Sequence, residues 1–283
     1  MTFNIDFPEL FGWKSIPAAA IFAVLYAPLA AFFLFKIIHE RRRVLITMTL
    51  FCLIRVTAFI LRAVSIGVTS VGENEGVFIA AEVLFSVGFF GLLYSAYTLV
   101  VDRLELCDNV EHPIPIIGNI LRFARNRRLF RIVLIIPVAL GIAGIDITSS
   151  NPTSSTGIDL RKASAIIFLV LTILQVLQTL VLIRAEHQST QKDPLENSQS
   201  SGLRARHISL LFGVIAVLLL IREIFSVATI NDLAKTNNEH FWYPLVALPE
   251  WLCAVIYAIP GLIPPKVVNT KTELPQYTSG FRK

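Results

Sequence analysis

The sequence predicts an all-α membrane protein, a bundle of seven transmembrane helices, on three observations. Of the 283 residues, 54% are hydrophobic and only 16% charged, with a mean hydropathy of +0.67, far from the composition of a soluble domain. Seven apolar stretches each approach the roughly 20 residues that a helix needs to cross a bilayer. The basic residues also fall almost entirely on alternate loops.

The spans are expected at 15–38, 44–66, 77–101, 129–147, 163–183, 208–230 and 241–263, forming one domain over 1–263 with a flexible tail over 264–283. Uninterrupted apolar runs such as 165–174 and 210–221 lack the period-two alternation of barrel strands, so helices must satisfy the backbone inside the bilayer. On the first span, Ala19, Ala23, Ala27 and Ala31 recur every four residues and suggest a close-packing stripe. The second and third spans follow across short loops. Between the third and fourth, 114–130 mixes isoleucines with Arg122, Arg125, Arg127 and Arg128, the composition of a helix lying on an anionic leaflet. The fifth span carries a polar stripe of Thr172, Gln175, Gln178 and Thr179. A Ser- and Gln-rich stretch, 188–202, reads as a linker to the sixth span, and Pro264-Pro265 should end the seventh.

Eighteen of the 25 Lys and Arg lie in the first, third and fifth loops and the tail, against four on the other side and three inside spans. The positive-inside rule then places the N-terminus outside or in a lumen and the C-terminus in the cytosol, in a plasma membrane or endomembrane. No cleavable signal peptide is expected, because no basic segment precedes a short apolar core. The cationic segments are short and flank apolar spans, which excludes nucleic acid as a partner; membrane lipids are the expected surroundings.

Charges inside the spans are the candidate site. Arg55 and Arg62 lie in the second span, Glu82 in the third, Arg222 and Glu223 in the sixth and Glu250 in the seventh. Intramembrane charge is costly, so each group should face the bundle interior and find a partner. Depth, at 1.5 Å per residue, pairs Arg222 with Glu250 and Arg62 with Glu82, leaving Arg55 for Glu223 or water. With Gln175 and Gln178, these residues are expected to line a polar cavity or to lock the bundle as ion pairs. Leu53-Ile54-Arg55 with Glu82, and Leu220-Ile221-Arg222 with Glu250, also suggest a parallel 3+1+3 repeat, with chance recurrence as the competing reading.

Other chemistry finds little footing. All five histidines sit in loops or at span ends, away from any zinc-ligand cluster. No Gly-x-x-x-x-Gly-Lys loop occurs. No catalytic residue, metal or cofactor is expected, and an enzyme is not. Asp102-Arg103 at the end of the third span leaves open a receptor or sensor, though a charged pair at the headgroups is the simpler reading. Leu274, Pro275 and Tyr277 in the tail have the spacing of a weak ligand for a WW-domain adaptor.

Arg55 with Arg62, Glu82 ahead of Tyr94 and Tyr97, Arg222 and Glu250 together resemble the pattern of the fungal lipid-translocating exporters, seven-span proteins associated with resistance to toxic lipids, and of a related fungal group of unknown function. The similarity covers 44–101 and 208–263. It implies translocation of, or response to, a lipid-like amphipath, with arginines on its headgroup. The sixth span departs from the exporter pattern, with Ile224-Phe225-Ser226 where Tyr-Arg and a Glu-rich continuation would stand.

Overall fold

The computed structural model describes residues 7–106, 127–150, 154–192, 199–231 and 233–263. Among them are seven helices long and apolar enough to span a membrane: α1 (Ile16–His39), α2 (Arg43–Gly67), α3 (Glu75–Leu106), α4 (Arg127–Ser150), α5 (Ser155–Lys192), α6 (Gln199–Thr229) and α7, which runs from Glu239 to Ala258. The protein is an all-helical, multi-pass integral membrane protein. Ile21, Val24, Phe35, Leu50, Val170 and Val217 are among the large apolar side chains turned outward, as a lipid-facing surface requires.

Helix α3 is the central element, touching α2, α4, α5, α6 and α7. Leu92, Leu93, Ala96, Tyr97, Leu99, Val100 and Val101 are buried on every face of it, so its sequence shows no polar stripe. The chain before α1 folds back over one end of the bundle. There Phe7, Phe11 and Trp13 pack against Phe78, with ring centroids 5.7, 4.4 and 5.0 Å away, and Gly12 turns the backbone at φ 78°.

Several expectations change. The alanine stripe of α1 does not face a neighbour along its length: the buried face is Ala19, Tyr26, Ala30 and Phe33, while Ala27 and Ala31 are exposed. A four-residue repeat drifts about 40° per step around a 3.6-residue helix, so its far end rotates off the contact. Helix α7 ends at Ala258, ahead of Pro264-Pro265. Pro260 forces Ile259 to an extended ψ of 127°. Helices α5 and α6 continue into the expected linker, to Lys192 and from Gln199. The expected interfacial helix falls mostly on 114–126, outside the described residues, as do 193–198 and the tail with Leu274, Pro275 and Tyr277.

Candidate functional site

Three features of the sequence bring the intramembrane charges together. The first is glycine on α3. The guanidinium of Arg55 lies against Gly88, where an added Cβ would be 2.9 Å from Cζ, a space no other residue leaves open. The second is a π turn in α7 over Tyr243–Ala247, in which the N–H of Leu248 donates to the Tyr243 carbonyl. Pro244 and Pro249 withhold the donors that would continue an α ladder there. The extra residue re-aims the helix, and Glu250 in the next turn is buried. The third is a small-residue seam between α4 and α5. A Cβ on Gly144 would come within 2.7 Å of Arg161 Cγ, and one on Gly157 within 2.7 Å of Thr148 Oγ1, so the stem of Arg161 crosses α4 on bare backbone.

At the centre, Glu250 divides its carboxylate between two arginines. Oε2 is 2.6 Å from Arg55 Nη2 and Oε1 is 3.2 Å from Arg222 Nε. Arg222 also pairs with Glu223 through Nη1, and its guanidinium lies 3.9 Å above the Phe89 ring. Arg55 donates from Nη1 to the Phe85 carbonyl at 3.0 Å and sits between the Phe51 and Phe85 rings. Arg55, Glu223 and Glu250 are at most 2% exposed. Burial on this scale leaves a pair stable only if both charges stay matched.

Beside this chain of pairs is a cavity of ≈ 150 Å³, room for about five waters at 30 Å³ each. It lies between α2, α3, α4, α5, α6 and α7 and reaches Thr236 and Asn237 at the end of the bundle covered by the N-terminal segment. Its charged wall is Arg55, Glu82, Arg161, Arg222 and Glu223; Ser86, Ser164 and Ser226 add hydroxyls. Ser164 donates to the Pro137 carbonyl at 2.6 Å, an approach that Gly141 permits. Glu82 and Arg161 also border a smaller void under Phe11 and Phe78.

Of the expected pairs, Arg222 with Glu250 forms; the other two do not. Arg62 is 3.1 Å from Glu239, and Arg55 takes Glu250 instead of Glu223. Depth was the wrong discriminator here, because pairing also depends on which way each helix face turns. Glu82 faces α4 and α5 across the cavity, whereas Arg62 lies among Trp13, Trp242 and Tyr243, with ring centroids 4.7, 4.4 and 5.4 Å from its Cζ. Arg62 therefore does not line the cavity, and Glu250 stands behind Arg55 and Arg222. Gln175 and Gln178 are buried outside it too, with the Gln175 amide 3.4 Å from Thr179 Oγ1. From Phe168 on the cavity wall, Gln175 is about 10 Å further along the helix axis. The two proposed repeat copies also differ, since Arg222 bonds its own Glu250 while Arg55 does not bond Glu82.

Sequence reasoning missed Arg161 and Glu239. Both fall just outside the apolar windows and look like headgroup charges. The signal that exposes Arg161 is the Gly141-x-x-Gly144 spacing on α4, since small residues three or four apart mark close helix approach. Asp102-Arg103 resolves as part of a cluster at the other end of the bundle, where Arg103 is 3.8 Å from Glu186. Tyr97 stacks on Phe130 at 3.6 Å, and Tyr94 accepts from Arg131 at 2.7 Å. Among the described residues, no group of three or more His, Cys, Asp or Glu could hold a metal ion. Comparison with family models, with curated proteins and with solved structures gives no match.

Proposed function

We propose that this integral membrane protein binds a lipid-like amphipath by its head and moves it through the bundle. The observation that carries the reading is the cavity itself: a space of ≈ 150 Å³ within membrane-spanning helices, lined by three arginines and two glutamates among apolar side chains. Intramembrane charges around a cavity are the usual mark of a substrate or ion path. The volume suits a headgroup, so acyl chains would remain in the bilayer. The resemblance of Arg55, Glu82, Arg222 and Glu250 to the lipid-translocating exporters points the same way. With the N-terminus outside, as the basic loops imply, the cavity would lie in the outer half of a plasma membrane or endomembrane. We assign no covalent chemistry to the site.

A second reading has its own observation. Arg55, Glu250, Arg222 and Glu223 form an unbroken series of pairs, as a purely structural lock would. Reconstitution into vesicles with fluorescent-headgroup and fluorescent-acyl lipids separates the two. Transport by the intact chain that disappears in Arg222→Ala, while the protein still elutes as a single folded species, is the expected result. If Arg222→Ala simply fails to fold, and exchange of the charges in Arg222→Glu with Glu250→Arg restores folding and lipid movement together, the lock is the better account.

A further inference from the structure

We propose that the cavity selects a zwitterionic head, with its anionic part on Arg161 and its cationic part on Glu82. This rests on the headgroup-binding reading above and names the substrate class. Of the charges on the wall, Arg55, Arg222 and Glu223 each already make an ion pair with one another or with Glu250, although Arg55 Nε and Glu223 Oε2 meet no hydrogen-bond partner among the described residues. Glu82 and Arg161 are different. Both line the cavity and the adjoining void, and neither makes a side-chain hydrogen bond or an ion pair within 4 Å to another described residue. Glu82 on α3 and Arg161 on α5 reach the same two spaces from different helices without forming an ion pair. The gap between them is the place for a ligand carrying both signs.

Charge balance decides the class. The cluster contains Arg55, Arg161 and Arg222 against Glu82, Glu223 and Glu250, so its formal charge is zero. A ligand of net negative charge would satisfy Arg161 but bring an anion toward Glu82 inside the bundle. A net cation would do the reverse at Arg161. A zwitterion leaves the sum unchanged and matches both groups, and burying an unmatched charge is the costliest alternative available. Position supports the assignment: Gly144 removes the side chain that would otherwise push Arg161 outward, so its guanidinium is built into the wall instead of resting at the headgroups. Ser86, also on the wall and bonded to no described side chain, offers a hydroxyl to the same ligand.

The test uses delipidated full-length protein in detergent and native mass spectrometry. The probes are phosphatidylethanolamine (zwitterionic), phosphatidylglycerol (anionic) and the soluble head glycerophosphoethanolamine. The intact chain is expected to retain phosphatidylethanolamine about tenfold over phosphatidylglycerol or more, the scale of one charge-assisted contact. Glu82→Gln should erase that preference without weakening phosphatidylglycerol, Arg161→Gln should weaken both lipids, and Glu82→Asp, which keeps the charge, should preserve the preference. Each variant is first checked for a monodisperse elution profile; should either Gln variant fail to fold, competition by the soluble head against phosphatidylethanolamine on the intact chain decides. Equal or greater retention of phosphatidylglycerol by the intact chain, a preference untouched by Glu82→Gln, or no competition by the soluble head overturns the inference while leaving lipid transport intact as a reading. Binding of glycerophosphoethanolamine with no retention of either lipid supports the zwitterion site and overturns the lipid-transport reading.

Discussion

Arg55 and Arg62 stand seven residues apart on α2, within about 20° of the same helix face, yet the bundle treats them in opposite ways. Arg55 lies in an electrostatic circuit: its two Nη atoms meet one carboxylate oxygen and one backbone carbonyl, beside a glycine that makes room for it. Arg62 lies in an aromatic cage of Trp13, Trp242 and Tyr243, with a single carboxylate, Glu239, at its edge. Glu239 in turn accepts the Lys14 backbone N–H at 3.1 Å, so the cage also ties the N-terminal segment to α7. A guanidinium can be kept inside a membrane protein by exchanging its hydration shell for matched charge or for ring faces and one acid. The first solution depends on a partner's charge, the second on shape.

The largest expected effect breaks the Arg55 circuit. Glu250→Gln removes the carboxylate that serves Arg55 and Arg222 at once, and loss of one partner from a buried pair costs about 3–5 kcal/mol. The expected outcome is a steep loss of monodisperse protein on size exclusion in detergent. Gly88→Ala comes next. It leaves every charge in place but pushes a methyl against the guanidinium, and overpacking of this kind costs about 1–3 kcal/mol. Thermal unfolding in detergent should move down for Gly88→Ala, and a Gly88→Ala protein as stable as the parent would show that Arg55 can shift freely. The smallest effect belongs to the cage: Trp13→Phe keeps a ring over Arg62 and gives up part of a desolvated cation–π contact worth about 2 kcal/mol, so that about 1 kcal/mol is lost. Limited proteolysis should then cut the N-terminal segment faster while the melting midpoint barely changes. A drop as large as that of Glu250→Gln would mean that the cage, not the ion pairs, holds α2 in place.

The positions of the helices were largely legible because hydropathy over some twenty residues reports directly on bilayer crossing. The same is true of the Arg222 and Glu250 pair, whose depths coincide. The partners of Arg55 and Arg62 were not legible. Their errors came from the turn of each helix about its axis, and at α7 that turn is set by the π segment between two prolines. Arg161 was hidden for another reason: a charge one turn before an apolar window looks identical whether its side chain points to water or across a glycine into the bundle.

Composition and hydrophobic run length thus determined, without any structure, that this chain crosses the membrane seven times as helices and that its interior charges must be matched, because neither requirement depends on how the helices are arranged. The tertiary structure alone decided which acid meets which arginine, that Arg161 lines the cavity, and that Trp13 closes over Arg62. Those outcomes rest on helix rotation and close backbone approach, both of which arise only when distant segments pack against one another.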